Sequence, residues 1–456
     1  MRSRLHTAVL LVCVFTGCKS LPTEIDVAQK IVDAKAAQVP LHWQHAAPEQ
    51  LQPDRAAPSS VPWWQPWHDR QLNALIELAL ANSRDIAKAR AALVMSKALS
   101  LAQRASEKPQ IQIGTRSSSN PEGTRTYFRI GLEAQWEALL FGARANQRQI
   151  AQVDVRTAEL YSDATRFLVT TQVAEHLFHV RADHQRMALL VQQDQLASEN
   201  LRLIGVRITQ GLAIATDQQE LTTQKQHVQS QLKKLAFDIF SDEQAISLLI
   251  AGTPPPTRAQ ATEALPEVAL TSILPMPIAV VRLRPDVALA EQAVYRAGAT
   301  LGMARTELYP HLALAGAIGA FIGSNGAIHW QPELGPIIDI PVFDWGARRA
   351  KVTAQEQALE IAMLGYQQAL QVALGEVELA LSKQQMSEQN LRQAELQISA
   401  AEQTLMQVEH ASRQAQASLI DVNDATLALN NAKLARVNAE EEALLAQIAL
   451  RLALGT

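Results

Sequence analysis

The sequence predicts a mixed, mainly α-helical fold in which each protomer is an internal duplication with four strands and long coiled-coil helices. Two observations carry this prediction. A strand pattern that ends in Gly-Ala-Arg occurs twice, about 200 residues apart, in a chain of 456 residues. Each copy precedes a run of about 110 residues without proline, far longer than the roughly 8–20 residues of ordinary globular helices. Two similar halves at a nearly constant offset indicate a duplication.

Composition and charge restrict the classes of protein to which the chain can belong. The hydrophobic fraction is 48% with only 5% aromatic residues, as in helices rich in Ala, Leu and Gln. The formal net charge of −4 argues against a nucleic-acid binder with a broad basic face. The two cysteines, Cys13 and Cys18, both lie near the N-terminus, which excludes a disulfide framework and a cysteine-based metal site.

The first residues read as a secretion signal, with two arginines, a short apolar run and small residues before Cys18. The stretch resembles a bacterial lipoprotein signal, so 1–17 is predicted to be a signal peptide and Cys18 the lipidated first residue. Phe15 stands where such signals usually carry Leu, and an ordinary signal peptide cleaved nearby is the alternative. In lipoproteins that look like this one, Lys19 after the Cys implies sorting to the outer membrane.

Residues 18–70 are predicted to form an N-terminal anchor and extended arm rather than a domain, because they are polar and rich in proline. Trp63, Trp64 and Trp67 cluster at the end of this arm. Burial that anchors the arm is the favoured interpretation, and stacking on a ligand is the alternative.

The first structural repeat is predicted to span 71–253. A helical pattern from Leu72 to about Glu107 is stopped by Pro109, which marks a helix-to-strand junction, and a β-hairpin follows over 109–138. Gly142 marks the strand-to-helix junction. The remaining helices are a long one over Ala143–Thr209, about 100 Å at 1.5 Å per residue, and a returning one over Asp217–Leu249.

A linker over 254–277 separates this repeat from the second, predicted over 278–456. A helix after Pro285 stops at Pro310, and a hairpin follows over 310–343, with its return strand over Leu334–Val342. Gly346 is the second strand-to-helix junction. The predicted long helix covers Ala347–His410 and the last helix Leu419–Leu450, which carries a seven-residue alanine repeat typical of supercoiled helices: Ala425, Ala432, Ala439 and Ala446.

The strands alternate between apolar and polar residues, which predicts one face of each kind. If the apolar face meets lipid, four strands cannot close a barrel, because about eight is the minimum and open edges are not tolerated there. The chain must then oligomerise, and three copies give twelve strands. A soluble sandwich covered by helices is the alternative. The side chains predicted to line water are Arg129, Glu133, Gln135 and Glu137.

Several motifs occur in the order typical of one family. They are Trp64 and Trp67 before Asp69-x-x-Leu72, Arg284-Pro285-Asp286-Val287 with Ala290-Glu291, Ala304-Arg305 with Tyr309-Pro310, and Pro341-Val342-Phe343-Asp344-Trp345-Gly346. With the signal and its cysteine, these motifs make the mature chain resemble the outer-membrane efflux proteins, TolC-like channels of the OprM-type lipoprotein group.

The resemblance implies a homotrimer with a twelve-stranded transmembrane β-barrel continued by a twelve-helix periplasmic α-barrel. It also implies a periplasmic adaptor protein and an inner-membrane transporter, commonly of the resistance-nodulation-division type, as partners in tripartite efflux. The chain would be a passive, gated exit duct in the outer membrane for drugs or other small molecules. The same channel serving peptide or protein export is one alternative, and a pore-less periplasmic coiled-coil spacer lipoprotein is another.

By the same resemblance, the periplasmic gate lies at the two helical turns. Asp421 and Asp424 fall on the constriction segment of the family, and Asp217 is the first-copy counterpart of Asp421. Helix capping is the alternative for Asp217 and Asp421, because Thr216-x-x-Gln219 and Ser418-x-x-Asp421 fit capping boxes; for Asp424 it is a solvated helix face. The family's Arg-Tyr pair is replaced by Ala411-Ser412 and its turn glycine by Ala415, so the ionic lock differs here. Ile420 also falls on the constriction segment by this resemblance, and Arg413, near the replaced pair, is a further gate candidate.

No enzyme is predicted, since a phosphate-binding loop, a nucleophile elbow and a cysteine nucleophile are all missing from the sequence. His176, His179 and His184 lie on one helical run, but no Glu follows His176 as a zinc protease would need. We expect a satisfied surface cluster there rather than a metal site. No cofactor is predicted.

Overall fold

The computed structural model describes residues 32, 39–40, 42–44, 62–119, 126–252, 264–267, 277–322 and 328–455. The predicted signal peptide, Cys18 and most of the predicted linker lie outside these ranges. So do the side chains of Tyr127 and Arg129 within the second strand.

Helices account for most of the described chain. The longest two, over Ala143–Thr209 and Ala347–Arg413, have 67 residues each. None of the described helices combines the length and the apolar composition that crossing a membrane requires. The helices are α1 (Arg70–Asn82), α2 (Arg84–Ser106), α3 (Ala143–Thr209), α4 (Ala215–Leu249), α5 (Pro277–Leu283), α6 (Pro285–Thr306), α7 (Ala347–Arg413) and α8 (Leu419–Leu454), preceded by a 3₁₀ turn over Gln65–Trp67.

The prediction of one helix from Leu72 to Glu107 was wrong, because the chain breaks at Ser83. The ψ angle of Ser83 is 128°, an extended value that no α-helix accommodates. Its N–H closes α1 on the carbonyl of Ala79 at 2.9 Å, and its own carbonyl accepts from Ala87 at 3.0 Å in α2. The apolar periodicity runs through this residue, so the sequence pattern concealed the break.

The four strands form a single antiparallel sheet in the order β1-β2-β3-β4. Each strand pairs with its neighbour in the chain, and the central β2–β3 pairing joins the two predicted hairpins. The strands are β1 (Gln110–Ser119), β2 (Thr126–Ala138), β3 (His311–Ile322) and β4 (Ile328–Asp339).

The register separates the sheet into an apolar and a polar face, as the alternation predicts. Residues directly opposite each other point to the same side. Leu132, for example, lies between Ile113 and Ile318, whereas Gln135 lies between Gln110 and Ala315. The apolar face includes Ile111, Ile113, Ile130, Leu132, Trp136, Leu314, Ile318, Ile328, Trp330, Leu334 and Ile338, and the polar face includes Gln110, Gln112, Glu133, Gln135 and Glu137.

The predicted return strand over Leu334–Val342 was misplaced, since β4 begins at Ile328 and ends at Asp339. Every residue from Ile328 to Asp339 pairs with a residue of β3, so pairing with another strand sets the bounds of β4.

The chain divides into two compact units, and each draws on both sequence repeats. The first unit includes Ala91–Tyr161 and Asp286–Leu370 and therefore holds the sheet. The second unit includes Pro40–Arg90, Ser162–Pro285 and Gln371–Thr456, and therefore holds both helical turns.

The core of the second unit anchors the residues that lead into α1. Trp63, Trp64 and Trp67 pack against a buried cluster built from α1, α2, α3, α4 and α8. The Trp63 indole donates to the Thr170 hydroxyl at 3.2 Å, and Trp67 meets Phe178 edge-on with ring centroids 5.1 Å apart. These contacts support apolar anchoring of the arm.

Candidate gate at the two helical turns

The first helical turn links α3 to α4 through a glycine. Gly211 has φ of +72°, and the N–H of Leu212 reaches back to the carbonyl of Arg207 at 2.8 Å. Such a hydrogen bond with a left-handed residue is the usual way to satisfy the last carbonyls of a helix. At the start of α4, the carboxylate of Asp217 accepts from the N–H of Ile214 at 3.2 Å.

The second turn follows the same path between α7 and α8, but with an alanine at the left-handed position. Ala415 has φ of +57°, a conformation that costs a residue with a Cβ roughly 1–2 kcal/mol. The N–H of Gln416 donates to the carbonyl of Ala411 at 2.9 Å, as Leu212 does in the first turn. Ser418 then caps α8.

Asp421 completes a capping box with Ser418. Its carboxylate accepts from the Ser418 N–H at 2.6 Å and from the Ser418 hydroxyl at 2.8 Å. The backbone hydrogen bond, the hydroxyl and the charge of Arg207 hold the pKa of Asp421 below its ordinary value. Asp421 therefore stays ionised, and its hydrogen bonds support the capping interpretation.

The predicted capping box over Thr216-x-x-Gln219 was wrong. α4 begins at Ala215, so Thr216 already lies in its first turn and Ile214 is the N-cap residue. Ile214 has no side-chain acceptor, and only the Asp217 half of a box is present. The threonine misled the sequence interpretation because it is the residue type that N-cap positions prefer.

Asp424 belongs to a partly buried polar cluster that connects α3 and α8. The Asn200 amide donates to the Asp424 carboxylate at 3.1 Å, and the Asn200 carbonyl accepts from the Asn423 amide at 2.7 Å. Asn200 is completely buried. Burial raises the pKa of Asp424, although the bond from Asn200 acts in the opposite direction. Sequence reasoning missed Asn200, since nothing in its local pattern distinguishes it from other polar helix residues.

The structure does not bring all the predicted gate residues into contact with one another. Ile420 is half-buried in the first turn of α8, and Arg413 is exposed at the last position of α7. Within the described ranges, no ion pair joins Arg413 to an acidic group, and no hydrogen bond links Asp217 to Asp421 or Asp424. What the second turn brings together is Asp421 with Ser418, and Asp424 with Asn200.

The predicted junction residues stand where strands meet helices. Gly142 has φ of +89° and directly precedes α3, and Gly346 has φ of +84° and directly precedes α7. Glycine is suited to this conformation because it has no Cβ. Pro109 and Pro310 each come immediately before a strand.

The three histidines on α3 do not form the surface cluster that the sequence predicts. His176 Nδ1 lies 2.8 Å from Asp242, and His179 Nδ1 lies 2.7 Å from Glu441, which also binds Arg186. All three rings are half-buried, and the Nε2 of His184 is buried without a partner. Among the described residues, no group of three or more His, Cys, Asp or Glu side chains is arranged to hold a metal ion.

Comparison with known proteins adds independent findings. A family model described as "Outer membrane efflux protein" matches residues 75–252 and 280–456. The chain is similar to outer membrane protein OprJ of Pseudomonas aeruginosa, with 24% identity over 82% of this chain and 80% of that protein. It is 25% identical to the cation efflux system protein CusC of Escherichia coli, covering 73% of this chain and 75% of that protein.

A solved structure shares the fold. The open state of the MtrE outer membrane channel of Neisseria gonorrhoeae superposes with a TM-score of 0.78. The match covers 92% of this chain and 95% of that chain, at 21% sequence identity.

Proposed function

Because the chain belongs to the outer membrane efflux protein family, we propose that it is the outer-membrane exit duct of an efflux pump, passively conducting drugs or other small molecules out of the cell. One observation carries this proposal: the apolar face of the sheet is exposed. Ile113 is 73% exposed, Leu132 53% and Leu334 79%. A continuous apolar surface of this kind marks contact with a membrane or another protein, and the polar face behind it suits contact with water.

The sheet edges support a homotrimer. β1 and β4 end the sheet, and neither has a strand on its outer side within the described chain. Unpaired backbone groups cannot face lipid, so β4 of one copy must pair with β1 of the next until the ring closes. Three copies give twelve strands, an even number within the range of closed outer-membrane barrels. The long helices would continue the ring as twelve periplasmic helices.

The duct has no energy source of its own in this account. It would receive its cargo from a periplasmic adaptor protein and an inner-membrane transporter, which we propose to be of the resistance-nodulation-division type. The name of CusC refers to cation efflux, so family membership leaves the cargo open. Sensitivity of a deletion strain to drugs, metal ions and solvents identifies the cargo class. Peptide or protein export would instead leave all three sensitivities unchanged.

We also propose that Cys18 carries a lipid anchor, on the grounds of the signal sequence alone. Labelled palmitate should be incorporated into the parent protein and be lost in Cys18→Ala. A parent protein without label contradicts the anchor.

The gate is proposed at the second turn. In a trimer, one Asp424 per chain becomes a ring of three carboxylates, which can hold cations and restrict passage. The hydrogen bond from Asn200 supports this role, because it ties the acidic side chain to the neighbouring helix. Asp421 and Asp217 cap their helices and shape the two turns, while Ile420 belongs to the constriction segment and Arg413 lies close to it in the chain.

The function is tested with two substitutions in the same strand. Leu132→Arg places a charge on the apolar face, and Gln135→Arg places the same charge on the polar face. An arginine at the bilayer midplane of a barrel costs roughly 2–4 kcal/mol. We therefore expect Leu132→Arg to abolish trimers with heat-modifiable gel migration, and Gln135→Arg to assemble and conduct ions in planar bilayers.

Equal assembly of both variants would show that the apolar face does not meet lipid. A parent protein with neither heat-modifiable migration nor conductance would favour the pore-less spacer instead.

A further inference from the structure

An open pocket of about 620 Å³ lies at the first strand-to-helix junction. We call it the junction pocket. It lies where α2 ends, β2 ends and α3 begins. Four cationic side chains line it: Arg104 and Lys108 come from the α2 side, and Arg144 and Arg148 come from the first turns of α3. All four are exposed.

The carboxylate of Glu107 contacts two of the cationic side chains that line the junction pocket. Glu107 is only 8% exposed and accepts from Arg148 at 2.5 and 2.8 Å, and Arg144 Nε lies 3.8 Å away. The bond from Arg148 holds the pKa of Glu107 below its ordinary value, so the carboxylate is charged. Four cations against one anion leave three positive charges in excess within the lining.

The second junction provides an internal comparison, because two of the four cations have cationic equivalents there and both are neutralised. Arg348 lies 3.2 Å from Asp344, and Arg305 lies 3.0 Å from Glu356. Gly142 and Gly346 are 204 positions apart, so the first-copy counterparts of Arg348, Asp344 and Glu356 are Arg144, Leu140 and Gln152. Before the strands the offset is 201, as between Pro109 and Pro310, so Arg104 is the counterpart of Arg305. The first junction therefore keeps these two cations without the two acids. Its charge excess is therefore a property of this junction and not of the fold.

Trp136 connects the junction pocket to the apolar face of the sheet. It lies opposite Leu314 on that face and also lines the pocket. Its indole N–H donates to the Glu107 carbonyl at 2.9 Å, which fixes the ring at the end of β2. Tryptophan is characteristic of the layer where hydrocarbon gives way to headgroups. The cations next to it therefore lie at headgroup level if the apolar face is in lipid.

We propose that the junction pocket binds the phosphate of an anionic phospholipid in the periplasmic leaflet of the outer membrane. Arg104, Lys108 and Arg144 bind the phosphate oxygens, and Arg148 is held in place by Glu107. Clustered Lys and Arg side chains beside a membrane span are suited to lipid phosphates. The guanidinium of Arg can donate two parallel hydrogen bonds to phosphate oxygens. This inference rests on the proposed function, because it needs the apolar face to be in lipid.

The test is native mass spectrometry of the full-length protein in detergent with added lipid. The parent should retain phosphatidylglycerol in preference to phosphatidylcholine. Lys108→Gln combined with Arg144→Gln removes two cations without touching the Glu107–Arg148 pair. We expect this double variant to bind phosphatidylglycerol about thirtyfold more weakly, since each cation near a membrane surface contributes a similar increment. Arg348→Gln combined with Lys351→Gln at the second junction is the matched control and should retain parental binding.

Four results would overturn the inference: no preference for phosphatidylglycerol in the parent, equal weakening in the control, full competition by inorganic phosphate at the same molar excess, or loss of trimers in the pocket variant. The third would identify a site for free phosphate, and the fourth a contact between subunits.

Conductance of the same samples in planar bilayers separates the two proposals. A variant that conducts normally while lipid binding is unaffected refutes the junction pocket but leaves the duct intact.

Discussion

The two helical turns follow the same backbone path with different residues. Gly211 and Ala415 both adopt left-handed φ angles, of +72° and +57°. The second turn alone is capped by a serine side chain, and it alone is followed by an acidic residue bonded to α3. The first-copy counterpart of Asp424 is Glu220, which is exposed.

The difference indicates that the two copies share the shape of the turn, whereas the serine cap and the bond to α3 are present in the second copy alone. A gate that opens at the second turn must break the bond between Asn200 and Asp424 or carry both helices together. The first turn has only backbone hydrogen bonds and the Asp217 cap to break.

The largest effect is expected from Asp424→Ala. Removing the carboxylate eliminates the proposed ring of three charges and breaks one of the two hydrogen bonds between Asn200 and α8. Single-channel conductance in planar bilayers should rise several-fold. Glu220→Ala, the same change at the first turn, should leave conductance near the parental value. If the closed state is unchanged in Asp424→Ala, this residue is not part of the gate.

Asn200→Ala should destabilise the protein by about 1–3 kcal/mol, because it leaves the buried amide of Asn423 without its acceptor. Denaturant unfolding measures this loss. Asp194→Ala is the matched control on the same helix, since its bond to Gln229 is exposed and should contribute roughly 0.5 kcal/mol or less. Equal losses of unfolding free energy in both variants would show that Asn200 contributes no more than an exposed polar residue.

Substituting glycine at one left-handed position and alanine at the other should change the free energy of unfolding by about 0.5–1 kcal/mol in opposite directions. Ala415→Gly relieves the conformational cost at the second turn, whereas Gly211→Ala introduces it at the first. A Cβ at Gly211 would meet no atom within 4 Å, so backbone conformation alone decides the result. Hydrogen exchange of the amides in each turn measures the change. Shifts of the same sign would contradict the shared backbone path.

The smallest effect concerns pH at another contact between α3 and α8. The hydrogen bond to Glu441 raises the pKa of His179, and Asp242 and Asp183 act in the same direction. The surrounding charged groups also include Glu175, Asp238 and Arg186. The stability gained from His179 is present below its unfolded pKa and is lost as pH rises through the raised folded value.

His179→Gln should therefore lower thermal stability by a few tenths of a kcal/mol at about pH 5.5 and have less effect at about pH 9. Unfolding scans at both values check this. An effect that is the same at both pH values would mean that the pair contributes through packing alone.

The sequence was sufficient for features that depend on local patterns. Alternation from Phe128 to Trp136 predicted a strand with two distinct faces, and the glycine after Phe141 predicted where α3 begins. The serine at position 418 predicted a capping box that the structure confirms. In each case, neighbouring residues in the chain carry the whole physical cause.

Features that depend on distant residues were missed or misplaced. Asn200 contributes through two residues more than 220 positions away. The start of β4 was misplaced, because its bounds are set by pairing with β3 along the whole strand. The charge excess at the junction pocket likewise becomes visible only when α2 and α3 are brought together.

A cryo-electron microscopy map of the purified, membrane-extracted protein would show whether the chains form a closed duct. We expect three copies around one axis, with β4 of each copy hydrogen-bonded to β1 of the next and an open bore behind the polar face of the sheet. A single chain, or a trimer whose axis is filled with protein along its whole length, would contradict this arrangement.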